Sequence, residues 1–447
     1  MKFLSLSVSF LLASKASAAV IPLNDESSLI SEVEVEKRDP VVAPRQAGEK
    51  APLLRALKPV KSKYIVVYND DASAEAKAEE SEWISGVVSE VAKRDGTSDD
   101  HLKFFDVNTL NGYLGSFDEE TVDKIRDSGA VKYVEEDTYA VAEEITTQNN
   151  AVWGISRVST RENTRSGKYI HDSQGGQGVT AYVVDTGIMT EDPEFEGRAT
   201  LGVSVAQPDK KYDTNGHGTH VAGTIGSKTY GVAKKVDLVS VSVFGTNDRA
   251  AVSDLLIGFD YVIRDHKQKL ASGKKGFKGS TLNMSIGGAN SRAWTDGINA
   301  LVTAGIHAVV AAGNEAIPAC TFSPGLSNAI TVGGSQSDDN KYSNSNYGDC
   351  VNILAPAVNI PSVGWKQTPE YKTGTSMASP HVAGVASYFL SLHPGAGSEF
   401  NTALLTPAEL RKRLIDFGTK GAIRGFDSAT PNVLVYNGAT NPGKFWE

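Results

Sequence analysis

Residues 374–386 read GTSMASPHVAGVA, a polar turn followed by a run of small and apolar residues. The pattern predicts a buried helix with Ser376 in its first turn, where the unpaired N–H groups and the positive end of the helix dipole favour an oxyanion. Ser376 is therefore a candidate nucleophile. Taken alone, the pattern favours a serine that only caps a core helix over a catalytic serine.

Two further stretches supply an acid and a base. Residues 180–187, TAYVVDTG, predict an apolar strand that ends on Asp185. Residues 215–224, NGHGTHVAGT, place His217 in a glycine-rich loop that opens a second small-residue helix. By itself, Asp185 would be read as a strand-end carboxylate that caps a turn. Together, the three stretches indicate an acid, a base and a nucleophile in one chain.

The order Asp, His, Ser along the chain resembles that of the subtilisin-like serine proteases. Between about residues 64 and 438 the chain is similar to the proteinase K branch of that family and its cerevisin-like fungal relatives. The resemblance implies an α/β peptidase with a mainly parallel sheet and helices on both faces, preceded by a small α+β, ferredoxin-like propeptide domain. It also implies a serine endopeptidase made as an autoprocessed zymogen.

Peptide cleavage needs one role from each of the three residues. Ser376 would attack the carbonyl, His217 would take the serine proton and return it to the leaving amine, and Asp185 would hold the imidazole. His217 is the histidine that aligns with the base of the family. The other histidines of these stretches, His220 and His381, are expected to be structural.

The oxyanion and the substrate also need binding groups. Residues 309–314, VVAAGN, predict a strand ending on Asn314, which would suit a simple turn but resembles the oxyanion-binding side chain of the family. Substrate is expected to lie as an extended strand along one segment. The resemblance implies that a second segment forms the other wall of the pocket for the residue before the scissile bond. The first segment is Ser285, Ile286, Gly287 and Gly288, and the second is Ala311, Ala312 and Gly313. Neither contains an acidic residue, so a broad preference for apolar or aromatic residues is expected.

The composition is typical of a globular protein. The 447 residues, 40% hydrophobic and 22% charged, are enough for a large catalytic domain and a smaller second one. Residues 1–145 hold 17 basic and 28 acidic side chains, a net charge of −11. The remainder holds 27 basic and 25 acidic side chains, a net charge of +2, and the two parts together give the formal net charge of −9. The nearly neutral remainder argues against a nucleic-acid partner.

The chain divides into four predicted segments. Residues 1–18 have the charged start, apolar centre and Ala-Ser-Ala end of a secretory signal peptide, with a buried N-terminal helix as the alternative. Residues 19–62 predict a flexible leader, 63–145 an inhibitory and chaperone propeptide, and 146–447 the peptidase domain. No later stretch is apolar enough to span a membrane. A soluble protein of the secretory pathway, extracellular or vacuolar, is expected.

The propeptide is expected to act as an intramolecular inhibitor. In the family its C-terminal tail, here residues 138–144, lies through the active site, and autocleavage is expected between Ala142 and Asn149. Peptide and protein substrates are the other expected partners. We expect a monomer that binds neither nucleic acid nor membrane.

The peptidase part alternates predicted strands with predicted helices. Near-continuous apolar strands between helices indicate a parallel sheet covered on both faces, with the active site at the carboxyl ends of the strands. Asp185 and Asn314 fit such ends. The predicted strands are 179–184, 237–243, 281–285, 306–311, 329–332 and 352–355, and the predicted helices include 253–268, 293–304 and 406–417.

Cysteine, calcium and glycosylation each receive a prediction. Cys320 and Cys350 suggest one disulfide in an oxidising compartment, with two free buried thiols as the alternative. No cofactor is required, and the strong calcium site of proteinase K is expected to be weak or missing because Asn352 stands where that site has a carboxylate. The sequon that begins at Asn283 lies on a predicted buried strand and is expected to stay unmodified.

Two classes of function remain open. One is an active serine endopeptidase of broad specificity. The other is a catalytically silent relative that keeps the fold as a binding protein. The presence of Asp185, His217, Ser376 and Asn314 together favours the enzyme.

Overall fold

The described part of the chain is built on two main sheets. The computed structural model describes residues 49–55, 59–95, 102–138, 145–272, 276–393 and 405–446. The predicted signal peptide, most of the predicted leader and most of the tail at 138–144 lie outside the described residues.

The N-terminal part is an α+β unit. Its apolar side chains alternate along the strands and recur along one helix face, so that Val66, Ile84, Tyr113, Ile125 and Val134 form a core with no exposed surface. The elements are β1 (Leu53–Leu54), β2 (Pro59–Tyr68), α1 (Ala74–Asp95), β3 (Lys103–Val107), β4 (Leu110–Ser116), α2 (Glu119–Asp127) and β5 (Val131–Thr138). The strand order is β1-β5-β2-β4-β3, antiparallel except for the β1–β5 pair.

This unit begins earlier than the sequence predicted. Strand β1 and the start of β2 fall inside the stretch expected to be a flexible leader. Charges that suggested disorder are paired here: Lys50 Nζ lies 2.6 Å from the Asp123 carboxylate, and Arg55 lies 3.2 Å from that of Glu136. Ala51 is fully buried, so apolar contact anchors the segment as well.

The peptidase part is organised by a nine-stranded sheet in the order β17-β18-β14-β13-β12-β11-β8-β10-β9. All neighbours are parallel except the β17–β18 pair at one edge. The strands are β6 (Ile145–Gln148), β7 (Tyr169–Asp172), β8 (Val179–Asp185), β9 (Ala199–Ser204), β10 (Asp237–Ser242), β11 (Gly279–Met284), β12 (His307–Ala311), β13 (Ile330–Ser335), β14 (Ile353–Pro356), β15 (Ile360–Ser362), β16 (Glu370–Lys372), β17 (Thr419–Lys420) and β18 (Val433–Leu434). The helices are α3 (Trp153–Val158), α4 (His217–Gly226), α5 (Val252–Ala271), α6 (Arg292–Thr303), α7 (Thr375–Ser391) and α8 (Pro407–Phe417), with 3-10 turns at Pro193–Phe195, Ala319–Thr321 and Pro442–Phe445.

Helices cover both faces of the large sheet, as predicted. One core contains side chains of α3, α4, α7 and α8, and the other contains side chains of α5 and α6. Strands β8, β11, β12, β13 and β14 are buried along their whole length, which explains why β8, β12 and β14 consist mainly of apolar residues. Over the described residues, none of the helices combines the length and apolarity needed to cross a bilayer.

The predicted elements are present with shifted ends, but several short strands were missed. The second and third residues of β9 are exposed, and β17 and β18 have two residues each, so none of the three strands shows a long apolar run. The ribbon β15–β16 was also not predicted, because β16 is partly exposed and its strands are three residues long. Such edges are specified by their partners in the sheet.

Candidate active site

The acid lies where the central strand β8 ends. Asp185 has no exposed surface, and its Oδ1 accepts hydrogen bonds from the Thr186 N–H at 2.7 Å and from His217 Nδ1 at 2.8 Å. Because the strand is buried on both faces, only its carboxyl end can present a polar group to the site. Two bonds to one oxygen fix this carboxylate against the imidazole.

The histidine at the start of α4 faces that carboxylate. Gly216 precedes it with φ of 91°, a left-handed conformation that glycine adopts without strain. The His217 side chain is 27% exposed. Burial lowers the pKa of His217, but the charge of Asp185 and the hydrogen bond to it outweigh burial, so the pKa lies above its usual value. The arrangement therefore favours an imidazolium beside Asp185.

The two other histidines of the motifs are buried and have structural roles. His220 is fully buried, and its Nε2–H donates to the carbonyls of Ile360 at 2.9 Å and Glu370 at 3.1 Å. His381 is 1% exposed, and its Nδ1–H donates to the Met377 carbonyl at 2.8 Å. Burial lowers the pKa of each to about 4, so both are neutral structural groups.

The serine lies in the first turn of α7, and it is the one residue of that helix that is not buried. Its Oγ donates to the Ser285 carbonyl at 3.3 Å. Between the described side chains of His217 and Ser376 there is no hydrogen bond. The Ser285 side chain stabilises this turn, because its Oγ donates to the Ser376 carbonyl at 2.8 Å and lies 2.9 Å from Ser379 Oγ.

The amide that follows β12 is oriented by the residue before the serine. Asn314 Oδ1 accepts from the Thr375 N–H at 2.8 Å and from its hydroxyl at 3.1 Å. Asn314 is an exposed residue, and with its oxygen held, its amide nitrogen has no acceptor among the described residues. It is therefore a donor available to a ligand beside the first turn of α7.

The two predicted walls of the substrate pocket come together around a phenyl ring. A Cβ placed on Gly287 would lie 2.2 Å from the Phe322 ring, and one on Gly313 would lie 3.0 Å from it. Ser285 is 7% exposed and Ala311 and Ala312 are buried, so the small residues of both walls leave room for this ring. Sequence reasoning did not single out Phe322.

One predicted substrate-binding residue has its backbone occupied. The N–H of Gly288 donates to the Ser323 carbonyl at 3.1 Å, and its carbonyl accepts from the Ser323 N–H at 3.0 Å. Among the described residues, the N–H and carbonyl of Ile286 and Gly287 make no such cross-strand pair. The edge open to an extended peptide is therefore shorter than the predicted one.

Comparison with known proteins agrees with this geometry. The subtilase family model matches residues 176–430, and the peptidase inhibitor I9 model matches residues 63–140. The chain belongs to the subtilase family. It is an enzyme of the subtilisin type with an inhibitor I9 propeptide domain, as the sequence predicted.

Named relatives of this subtilase include fungal proteases. It is 44% identical to cerevisin of Saccharomyces cerevisiae over 76% of this chain and 55% of cerevisin, so it spans little more than half of that relative. It is 40% identical to alkaline protease 2 of Aspergillus fumigatus over 89% of this chain and 86% of the relative. A solved cold-adapted subtilisin-like serine proteinase matches with a TM-score of 0.57 and 35% identity, covering 64% of this chain and 98% of that one.

The predicted disulfide is present in this subtilase, and it holds the pocket loop. Cys320 is bonded to Cys350, with Cα atoms 5.3 Å apart. Cys320 lies two residues before Phe322, and the Ala319 N–H donates to the Tyr347 carbonyl at 2.8 Å beside the bridge. The bridge therefore attaches the Phe322 loop to the loop before β14.

A buried asparagine that sequence reasoning missed shapes the turn after β12. Asn346 has no exposed surface; its Nδ2 donates to the Ala312 carbonyl at 2.9 Å, and its Oδ1 accepts from the N–H groups of Glu315 at 3.0 Å and Ile317 at 3.1 Å. The Ser-Asn-Tyr-Gly motif containing it was noticed only in connection with calcium. Its role depends on a partner about thirty residues away, which no local pattern signals.

The residue proposed to weaken calcium binding is part of the sheet. Asn352 Oδ1 accepts from the Thr331 N–H at 2.8 Å, and the Asn352 N–H donates to the Thr331 carbonyl at 2.9 Å. Within the described residues no cluster of three or more His, Cys, Asp or Glu side chains is arranged to hold a metal ion. The first residue of the glycosylation sequon, Asn283, is also engaged within the protein: it is 1% exposed, and its side chain donates to Ser285 Oγ at 3.0 Å.

Proposed function

We propose that this subtilase is a serine endopeptidase in which Ser376 is the nucleophile, His217 the general base and Asp185 the group that orients it. The observation that carries the proposal is the 2.8 Å bond between buried Asp185 and His217 Nδ1, beside a serine exposed in the first turn of a buried helix. That bond leaves Nε2 of His217 as the nitrogen that accepts the serine proton. No observation favours a silent relative.

The reaction begins when the Ser376 hydroxyl turns from the Ser285 carbonyl toward His217. The oxygen attacks the peptide carbonyl while His217 takes its proton, and the imidazolium is stabilised by Asp185. His217 then returns the proton to the leaving amine. Water repeats the sequence on the acyl-enzyme and releases the acid product.

The oxyanion of each tetrahedral intermediate would be bound by Asn314 and by the Ser376 N–H. The Asn314 amide supports this role because its oxygen is held by Thr375 and its nitrogen has no acceptor among the described residues. The N–H groups of the first turn of α7 have no acceptor within the helix. Donors fixed before the reaction stabilise the developing charge without reorganisation.

The specificity is proposed to be broad and to favour apolar or aromatic residues before the scissile bond. Ser285, Ile286 and Gly287 would bind the peptide backbone, and Ala311, Ala312 and Gly313 would form the opposite wall. The Phe322 ring supplies an apolar surface between them. Glu315, which follows the second wall, has one carboxylate oxygen bound by the Asn314 N–H at 2.8 Å and by Asn346 Nδ2 at 2.9 Å, so it supports the turn after β12.

The precursor is proposed to cleave itself between Ala142 and Asn149. Strand β6 supports the N-terminal end of this interval, since Ile145–Gln148 pairs with Tyr169–Asp172 and Gln148 donates to the Thr229 carbonyl at 3.0 Å. Residues so attached belong with the peptidase body, which favours cleavage near the N-terminal end of the interval. The propeptide at 63–145 would then be the inhibitor. Secretion or delivery to a vacuole is proposed from the signal peptide expected at residues 1–18, and the protein is proposed to be a monomer.

The deciding experiment replaces the nucleophile. We expect Ser376→Ala to give a precursor that keeps its propeptide and lacks activity; subtilisin, a member of this same family, loses about 10⁶-fold in kcat without its serine. The measurement is electrophoresis of refolded precursor, with hydrolysis of a fluorogenic peptide as the second readout. Maturation of Ser376→Ala in a cell-free refolding mixture would show that the assignment is wrong.

A further inference from the structure

A second buried carboxylate lies beside the proposed general base. Asp213 has no exposed surface, and no Lys, Arg or His nitrogen of the described residues lies within 4.0 Å of its carboxylate. Four donors take the place of a cation. Oδ1 accepts from the N–H groups of Asn215 at 2.9 Å and Gly216 at 3.0 Å, and Oδ2 accepts from the N–H of Thr219 at 3.0 Å and its hydroxyl at 2.7 Å. Burying a carboxylate is costly unless such donors satisfy its oxygens.

These bonds complete the N-terminus of α4. The residue before the helix, Gly216, has no side chain to cap it, and the first N–H groups of a helix lack intrahelical acceptors. The His217 N–H donates to Asn215 Oδ1 at 3.1 Å, the Gly218 N–H to Thr186 Oγ1 at 2.9 Å, and the third N–H to Asp213. Asp213 therefore acts as the cap from four residues before the base.

The backbone of Asp213 is packed against the segment that carries the proposed acid. A Cβ on Gly187 would lie 3.1 Å from Asp213 Cα, and a Cβ on Gly218 would lie 2.2 Å from the Gly187 carbonyl. Gly218 has no room for a side chain, and Gly187 is tightly packed with φ of 126°, a conformation that favours glycine. The turn after Asp185, the Asp213 loop and the start of α4 thus touch backbone to backbone, so a shift of one moves His217 relative to Asp185.

Three charged groups act on the imidazole from three elements. Asp185 at the end of β8 and Asp213 in the loop before α4 favour the imidazolium, while Lys372 at the end of β16 opposes it. Asp213 is therefore placed to act on both the position and the charge of His217.

We propose that Asp213 is a positioning residue for catalysis, which holds His217 in register with Asp185 and adds a second negative charge behind the imidazole. The proposal rests on the function assigned to His217 above. Asp213 does not touch substrate. Its effect is expected in the turnover step, since a misplaced base slows proton transfer more than it weakens substrate binding.

The test is Asp213→Asn in the full precursor, matured and assayed with a fluorogenic peptide after titration of active sites. Asparagine keeps the shape but removes the charge and presents a donor to the surrounding N–H groups. We expect kcat per active site to fall about 10²-fold with KM near the wild-type value. The acid limb of the kcat/KM profile should move to lower pH, because losing a negative charge lowers the pKa of His217.

Two carboxylates serve as controls. Asp172→Asn removes a carboxylate that is 2% exposed and belongs to β7, and Asp248→Asn removes an exposed one that accepts from Asn215 at 3.1 Å. Both are expected to keep the wild-type kcat and pH profile per active site, even where Asp172→Asn lowers thermal stability.

If Asp213→Asn does not mature, Thr219→Val decides, because it removes the hydroxyl bond to Asp213, together with the bond that the same hydroxyl accepts from the Met189 N–H, and leaves the Asp213 charge in place. It should lower kcat in the same direction by a smaller factor, with KM unchanged. Wild-type kcat and pH midpoint in the variant that matures would overturn the positioning role. Activity in Ser376→Ala would instead overturn the assigned mechanism, so the two failures are distinguishable.

Discussion

At His217, opposing charges set the pH at which the proposed base is available. The pKa is raised by Asp185 and Asp213, and it is lowered by the nearby ammonium of Lys372, which is held 2.6 Å from Glu370. A base with a higher pKa loses its proton at a higher pH. Hence any change that removes a positive neighbour should restrict activity to more alkaline conditions.

We expect Lys372→Met to move the acid limb of kcat/KM to higher pH. The substitution removes the positive neighbour and leaves Glu370 without its ion pair, so both changes stabilise the imidazolium. The measurement is a pH profile with a neutral peptide substrate. Lys366→Met is the control, because Lys366 lies 4.5 Å over the exposed Trp365 ring and does not act on His217. An unshifted limb in Lys372→Met would contradict the expectation.

Asn314→Ala tests the proposed oxyanion donor. In subtilisin, of this same family, loss of one such donor lowers kcat by about 10²–10³-fold, and we expect a fall of that order with KM little changed. Thr375→Val is the control, since it removes the hydroxyl held by Asn314 Oδ1 but leaves the amide nitrogen in place. An equal loss of kcat in both variants would point to a collapsed turn rather than a missing donor.

The residues proposed for catalysis could be predicted because each lies in a short motif. Asp185, His217 and Ser376 are flanked by small residues that allow close packing, and this leaves a pattern in the sequence. Asp213 and Asn346 left none. Each is an ordinary polar residue in a loop, and its importance lies in complete burial and in donors supplied by the fold.

Among the elements, the loop bearing Phe322 determines how much of the pocket is open. The ring lies between Gly287 and Gly313, and the disulfide from Cys320 attaches the loop to the segment before β14. The sequence predicted the bridge and both walls. It could not predict the ring between them, because a loop conformation depends on the packing of both neighbours.

We expect Phe322→Ala to favour larger residues before the scissile bond. Removing the ring enlarges the space between the walls, so kcat/KM for a bulky aromatic residue should rise relative to a small apolar one by about tenfold, in line with about 1–3 kcal/mol for small differences in apolar fit. Paired peptides differing only at that residue give the measurement. Phe277→Ala, a change remote from the pocket, should leave the ratio unchanged; an unchanged ratio in Phe322→Ala would exclude the ring from the pocket.

On the scale of the whole molecule, the propeptide unit has a core of its own, separate from the cores of the peptidase part. The large sheet could be predicted from its apolar strands, whereas the start of the propeptide unit could not, because its charged first residues resemble a leader until their ion pairs are seen. Within that unit, Tyr113 is fully buried and its hydroxyl donates to Glu80 at 2.8 Å.

A defect in the propeptide core should lower the yield of enzyme without altering the enzyme. Tyr113→Phe leaves the buried Glu80 carboxylate without its donor, at a cost of about 1–3 kcal/mol to the propeptide unit. We expect less mature protein by active-site titration and an unchanged kcat per site. Tyr64→Phe is the matched control, since the Tyr64 hydroxyl makes no hydrogen bond with a described residue. A changed kcat in the Tyr113→Phe product would contradict the separation of the propeptide core from the cores of the peptidase part.

Helix α7 is buried at every residue except Ser376. A serine in a helix so completely buried has a fixed position. The peptide bond to be cleaved must therefore enter the site in a flexible, locally unfolded segment of the substrate. Compact proteins offer such segments only when they open. The rate at which a protein is digested should then follow the population of its unfolded form, so that in a mixture of substrates the least stable protein is digested first.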